Sequence, residues 1–392
     1  MIILIGIIIA IFLSLILISK KSKTLSDWTL LAWLITIALY LILEMLVTKE
    51  ARYSYPFFLG WGFPFPLLQW PFLYLYVLSL TSRERLKVIS LLHFLPFFLS
   101  ILLFSNFLFL PYDTKIDIYN KKGQGYETEM TINLIAIILS AIIYTILSSI
   151  KLWKYKQSIK NEFSFIEKIT LNWLFYLIIG MTCILLIILC RLDDKYIFSS
   201  IAGFVIFIGY FGIKQVGIFN QNLPMEQNFI SNDNFPITVQ FVAQPENFSA
   251  ANEINTFSET VPKAKYEKSK ISADEVNRIH QKLSELMSNE QLFKNPELTL
   301  SEVAKKVPIH PNILSQIINS VEEKNFYDYI NYQRVEEFQR IVFLPKNNQY
   351  TLLSLAFECG FNSKTSFNRN FKRATNLSPT EYLNQKNIQL QD

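Results

Sequence analysis

Hydrophobic residues run almost unbroken through seven stretches of the first 214 positions: 2–18, 28–47, 60–80, 90–109, 131–150, 171–189 and 197–213. Each is close to the ~20 residues that carry a helix across hydrocarbon. They are apolar on every face, which predicts membrane-spanning helices. Beyond them the pattern changes twice. Residues 215–270 are rich in Asn, Gln, Ser and Pro and sustain no apolar period, so a flexible linker is expected. Only 237–242 alternates well enough to suggest a short strand. From Ser272 onward, helical spacing returns in short, amphipathic segments.

In this last part Ser272 and Glu275 form a capping box ahead of Val276, Ile279, Leu283 and Leu286 at helical spacing. Thr299 and Glu302 form a second, opening a short helix with Leu300, Val303, Ala304 and Val307 inward. A tight turn at Pro308, Ile309 and His310 leads into residues 311–319. There Ile313, Leu314, Ile317 and Ile318 face a core, and Asn312, Ser315, Gln316 and Asn319 face outward. Short helix, tight turn and short helix predict a helix-turn-helix.

The design recurs 52 residues later. Leu352, Leu355, Ala356 and Cys359 line one helix, Gly360 turns the chain, and Ser363 caps the next helix, with Phe367 and Phe371 inward. Its outward stripe is Lys364, Thr365, Asn368, Arg369 and Lys372. Four basic residues and no acidic one lie between Phe361 and Arg373. A basic, amide-bearing stripe on a short exposed helix suits phosphate contacts and base-edge hydrogen bonds. Between the two units Phe326, Ile330, Phe338 and Ile341 predict a linking helix of about 18 residues, roughly 27 Å long. That is of the order of one DNA turn, ~34 Å.

Composition sharpens the division. The whole chain of 392 residues is 51% hydrophobic and only 18% charged, well under the roughly 25% of a soluble protein. The deficit is local: residues 1–217 carry 19 Lys and Arg and 12 Asp and Glu, whereas the remainder carries 18 and 20. Three cysteines (Cys183, Cys190, Cys359) and three scattered histidines (His93, His280, His310) make neither a disulfide framework nor a zinc site. No glycine-rich phosphate loop is present. These absences argue against an enzyme, and no cofactor or metal is expected. His280 lacks the acidic neighbour and following proline of a phospho-accepting box, and no ATP-binding segment follows it.

Alternate connections between the apolar segments hold eleven and seven basic residues. The richer set is Lys20, Lys21, Lys23, Arg83, Arg85, Lys87, Lys151, Lys154, Lys156, Lys160 and Lys168. The positive-inside rule then puts the N-terminus outside and the chain beyond Lys214 in the cytoplasm. The first segment has no basic residue ahead of it and no small-residue cleavage site, so it reads as a retained span. Glu44, Gln69, Asn133 and Asn172 are the polar residues in or near the spans. Each is weighed as a ligand contact against a bland role, Glu44 snorkelling near a span end and Asn133 and Asn172 starting helices. The proline-rich stretch 60–71 must break backbone hydrogen bonds. It reads as a kinked, packed helix start or the lining of a pocket.

Three runs carry a family resemblance: 298–304 (LTLSEVA), 312–319 (NILSQIIN) and 325–331 (NFYDYIN). So do 356–361 (AFECGF), 366–372 (SFNRNFK) and 378–382 (SPTEY). Together they resemble the DNA-binding domain of the AraC family over about residues 295–384. Several spans, a linker and this domain are similar to a membrane-anchored subset of such regulators. The resemblance implies an all-α protein: a seven-helix transmembrane sensor domain (1–214), a linker (215–270) and a cytosolic domain (271–392). That domain has two helix-turn-helix units, at about 299–319 and 351–373. The implied function is transcription regulation from the inner membrane. Asn312, Ser315 and Gln316 of the first reader and Lys364, Thr365, Asn368 and Arg369 of the second would face successive major grooves of double-stranded DNA, with Lys372 on the backbone. Pro308 and His310 depart from the family pattern, which often has Gly and a Ser or Thr cap there. Membrane lipids and a signal ligand of unknown identity are the other expected partners, and a homodimer would double the readers. The competing reading is a membrane-anchored adaptor whose helical tail binds a protein. A transporter with a regulatory tail would want charged midplane residues or paired broken helices.

Overall fold

The protein is represented by a computed structural model that describes residues 2–48, 51–82, 88–167, 169–190, 194–219 and 272–389. Two compact units are present: Met1–Gln157 with Thr170–Pro224, and Ser158–Ile169 with Met225–Asp392. Residues 220–270 of the expected linker, with the strand expected at 237–242, lie outside the described residues. So do Lys49, Arg83, Arg85, Lys87, Lys168 and Arg191, on which the charge balance partly rests. Every described element is a helix, as expected, and the one isolated β-bridge among the described residues joins Phe163 to Thr299.

In the first unit the helices are α1 (Ile2–Ser19), α2 (Leu25–Leu46), α3 (Pro66–Thr81), α4 (Leu95–Leu103) and α5 (Ser105–Leu108). They continue with α6 (Tyr112–Asn120), α7 (Glu127–Glu162), α8 (Asn172–Leu189) and α9 (Asp194–Phe219). The last residues of α7, from Ser158, belong to the second unit. Among the described residues four helices, α1, α2, α7 and α8, are long and apolar enough to cross a membrane. The other three expected segments are shorter or interrupted. α3 has 16 residues with Pro71 inside it. The stretch 90–109 is split into a 3-10 turn, α4 with Pro96 in its first turn, and α5 after a break at Phe104. Tyr196–Phe211 is a shorter apolar stretch within α9. α6 lies between the apolar stretches 90–109 and 131–150.

Helix α1 packs on α2 and α9, α2 on α3, and α8 on α9. Small residues allow the close approaches: a methyl group on Gly6 would meet Leu41 and Ala202 at 3.0 and 3.1 Å, and one on Gly209 would meet Leu13 at 2.8 Å. Trp33, Leu41, Leu73, Val77, Ala141, Leu174, Leu177 and Val205 form the core. Ile8, Phe12, Leu15, Leu39, Phe98, Leu102, Ile143 and Trp153 point outward and are exposed. Such an apolar exterior fits lipid contact.

Two of the polar residues singled out within the apolar stretches, Gln69 and Asn133, are hydrogen-bonded to the protein itself. Gln69 Oε1 accepts from the Trp33 indole N–H at 2.9 Å. Asn133 accepts from Ser100 Oγ at 2.7 Å and donates to the Phe63 carbonyl at 3.0 Å. It sits inside α7, which begins at Glu127, and does not start the helix; Asn172 does open α8. Residues 59–65 are a run of tight turns, Phe63 N to Gly60 O and Phe65 N to Gly62 O among them. Asn133 thus takes up a carbonyl that this irregular backbone leaves over. Gln69 and Asn133 are thus satisfied by the protein's own groups, Asn133 through tertiary contacts and not as a helix start.

The described part of the second unit beyond the linker holds α10 (Ala273–Asn289), α11 (Leu300–Lys306), α12 (Pro311–Glu322) and α13 (Phe326–Ile341). After them come α14 (Leu352–Glu358), α15 (Lys364–Thr375) and α16 (Pro379–Gln389). Two apolar clusters sit at opposite ends of α13. One gathers Val276, Ile279, Leu283, Val303, Leu314, Ile317 and Ile330. The other gathers Val335, Phe338, Leu355, Cys359, Phe367 and Phe371. α13 has 16 residues, close to the expected 18.

Candidate nucleic-acid interface

Local chemistry sets the ends of the short helices. Thr299 and Glu302 make the full reciprocal capping box at α11. Ser272 caps α10, but Glu275 turns its carboxylate to Arg278 at 2.7 Å, so only half of the expected box forms. α12 starts without a hydroxyl cap: His310 Nδ1 accepts the Asn312 amide at 3.2 Å, and Pro311 occupies the first helical position. Histidine thus does the work of the Ser or Thr common in the resembling family. Ser363 accepts the Ser366 amide at 3.1 Å and opens α15. Gly360 has φ +96°, and a Cβ there would lie 2.4 Å from the Phe293 carbonyl oxygen, so only glycine fits that turn.

α11 with α12, and α14 with α15, are the two helix-turn-helix units. On α12, Leu314, Ile317 and Ile318 are buried, Asn312 is exposed, and Ser315 and Gln316 are half-buried. Gln316 Oε1 is itself buried and accepts no hydrogen bond among the described residues. On α15, Ser366, Phe367, Asn370 and Phe371 are buried, while Lys364, Thr365, Asn368, Arg369 and Lys372 are all exposed. The structure therefore brings the five residues of the second stripe onto one open face. The first reader offers an uncharged and more recessed face.

Two arginines of α15 are already engaged. Arg373 pairs with Asp328. Arg369 Nη2 donates to the Tyr327 hydroxyl at 2.6 Å and to Glu167 Oε1 at 2.7 Å. Although burial opposes the charge, Tyr327 and Glu167 together hold the Arg369 guanidinium above its ordinary range. Tyr327 also accepts from Asn370 Nδ2 at 2.7 Å, which ties α13 to α15.

Sequence reasoning missed the buried centre of this unit. Arg334 is only 2% exposed. Its Nε donates to Phe293 O at 2.7 Å and its Nη2 to Asn295 O at 2.7 Å and Ser164 Oγ at 3.1 Å. Nη1 reaches Asn331 Oδ1 at 3.1 Å and Ser164 O at 3.3 Å. Burial pushes the guanidinium down to about 10, and hydrogen bonds from every nitrogen offset the loss of water. A signal was available: Arg334 falls between Ile330 and Phe338 on the apolar stripe of α13, where a charge needs partners. His280 also finds a structural role, with Nε2 2.7 Å from Glu322 Oε1 of α12.

A family model described as "Helix-turn-helix domain" matches residues 303–385. Among curated proteins, the uncharacterized HTH-type transcriptional regulator YijO of Escherichia coli (strain K12) is 32% identical over 93 residues, 24% of this chain and 32% of that protein. The chain thus covers about a third of that relative's length. No solved structure matches it. Cap chemistry, the glycine turn, the paired short helices and these matches agree: the C-terminal part of the chain is a helix-turn-helix domain of the AraC type.

Proposed function

We propose that the protein is a membrane-integrated, DNA-binding transcription regulator whose DNA-reading domain is controlled by a signal received in the transmembrane helices. The observation that carries the reading is the outward face of α15, where Lys364, Thr365, Asn368, Arg369 and Lys372 are exposed together. Lysine and arginine supply phosphate contacts, and Asn368 and Arg369 have the geometry for base edges. Asn312, Ser315 and Gln316 form the second, weaker reader. The two helix-turn-helix units sit on one helix of 16 residues, roughly 24 Å long, of the order of the ~34 Å between successive major grooves.

The domain division is residues 1–214 in a seven-helix bundle, 215–270 as linker and 271–392 as the cytosolic module. Four helices of spanning length and an apolar exterior support residence in the inner membrane. Lipids, a signal ligand, DNA and a second copy of the chain are its partners.

The test is genome-wide crosslinking and sequencing of the full-length protein beside a Lys364→Ala, Asn368→Ala variant, which leaves the contacts of Arg369 in place. Discrete peaks that the variant loses establish a sequence reader and give its operator. A protein intact in membranes that enriches no DNA under any condition overturns the reading in favour of a protein-binding adaptor.

A further inference from the structure

Residues 163–171 connect α7 to α8 in sequence, yet Ser158–Ile169 belongs to the same compact unit as the helix-turn-helix domain. The segment is seated in that domain through one isolated β-bridge and a backbone hydrogen bond beside it. Phe163 bridges Thr299 in antiparallel fashion, and Ser164 N donates to Leu298 O at 3.1 Å. Ser164, 1% exposed, supplies both its carbonyl and its hydroxyl to Arg334, and its carbonyl also accepts from Asn331 Nδ2 at 3.0 Å. Without the segment, a buried guanidinium would lose two acceptors and a buried amide one, a costly arrangement unless water or another peptide replaced them. This is backbone pairing plus a side-chain pocket, the way extended peptides are held at an exposed edge. Three residues on, Glu167 places its carboxylate on Arg369 at 2.7 Å. Its Oε1 offers the guanidinium an anionic acceptor, as a DNA phosphate oxygen would, while Oε2 accepts the Ile166 amide at 3.2 Å.

We propose that segment 163–167 is an internal ligand of the DNA-binding domain, with Ser164 as its anchor on Arg334 and Glu167 as a phosphate mimic on Arg369, so that seating of the segment and binding of DNA compete. The competitive half rests on the function proposed above. The segment is joined directly to two helices of membrane-spanning length, ending at Glu162 and starting at Asn172. A change in either helix therefore acts on the segment through the chain itself, and the DNA reader needs no separate messenger. Only a ligand or lipid state that favours the unseated segment would shift the equilibrium. The length of the linker does not enter this coupling.

The experiment uses the full chain in lipid nanodiscs with Cys183→Ser and Cys190→Ser, carrying Phe163→Cys and Thr299→Cys. Directly opposed antiparallel residues stand roughly 4.5–5.5 Å apart at Cα, within disulfide range. Oxidation should crosslink the pair, read as a shifted band that reductant reverses. The probe is sheared genomic duplex DNA, titrated at two salt concentrations. The crosslinked protein should bind about tenfold more weakly than the same protein after reduction, as expected for one lost arginine contact. Glu167→Gln in the otherwise unaltered chain should bind roughly three- to fivefold more tightly, in keeping with a half-exposed ion pair. It should also steepen the salt dependence by about one phosphate contact.

Failure to crosslink overturns the seating. Crosslinking with DNA affinity unchanged between oxidised and reduced protein, and between Glu167→Gln and the parent, overturns the competition alone. Efficient crosslinking in a protein that binds no DNA in either state, with no genomic peaks for the parent, overturns the function reading and the competition with it.

Discussion

The hydroxyl of Tyr327, near the start of α13, accepts a hydrogen bond from the buried Asn370 amide of α15 at 2.7 Å. The same hydroxyl accepts from Arg369 at 2.6 Å. One phenol thus fixes both the depth of the second reading helix, through Asn370, and the direction of one of its outward side chains, through Arg369. Asn370 Nδ2 donates also to the Ser366 carbonyl at 2.9 Å, so its amide is held on two sides.

Removing that hydroxyl should loosen α15 without unfolding it. Tyr327→Phe deletes an acceptor from two donors, one of them buried, at a cost of about 1–2 kcal/mol. Hydrogen–deuterium exchange on the full chain should show faster exchange at α13 and α15 and unchanged exchange at α11 and α12. Equal protection of α15 in both proteins would show that the Ser366 carbonyl suffices.

Gly360→Ala should be far more damaging. The substitution places a methyl group 2.4 Å from Phe293 O in a residue at φ +96°, so strain and overlap act together. A loss of roughly 2–4 kcal/mol is expected. Limited proteolysis should then cut between α14 and α15 in the variant and spare the parent.

Glu337 predicts an acid-sensitive region around the same turn. It is 7% exposed, and its carboxyl lies below the ordinary range because Arg340 holds it in two hydrogen bonds, at 2.7 and 2.8 Å. Lys294 adds a third contact at 2.9 Å, and together they outweigh the opposing effect of burial. A lowered folded-state pKa stabilises above the unfolded value and is lost as pH falls through the folded one. The 3-10 turn at Leu292–Lys294 should therefore become less protected as pH drops below about 4.5, the ordinary glutamate value. Glu337→Gln should flatten that dependence while lowering protection at neutral pH. A parent profile level between pH 5 and 3 would refute the assignment.

Cys359 should resist thiol reagents. It is fully buried, and burial pushes its thiol up to about 12, so almost no thiolate exists at neutral pH. With Cys183→Ser and Cys190→Ser as background, maleimide labelling should be negligible in the native chain and complete in denaturant. Rapid native labelling would mean that the cluster around Phe338 and Phe367 opens readily.

In the membrane unit, Gln69→Leu should strand the Trp33 indole N–H, which donates to Gln69 at 2.9 Å between α2 and α3. Interhelical hydrogen bonds in lipid are worth about 1 kcal/mol. The thermal midpoint in detergent should fall by a few degrees. No fall would show that the bond adds nothing beyond the packing around it.

What the sequence determined by itself was everything governed by neighbours a few residues apart. Thr299 with Glu302, Ser363 and Gly360 are short-range devices, so the helix-turn-helix units, the all-helical class and the outward stripe of α15 could be read directly. Much of the apolar stretches was also legible as helix, because composition alone sets that preference, but the turns at 59–65 and the break at Phe104 were not. Tertiary structure decided what depends on distant partners. Pairings such as Arg334 with Ser164, 170 residues apart, or Asn133 with Phe63, 70 apart, leave no periodic trace. A charge on the apolar stripe of α13 showed only that partners were needed. That Glu167, in a connection between two membrane-length helices, would meet Arg369, 202 positions later, was decided by the folded chain, because complementary charge gains energy only where folding brings it within reach.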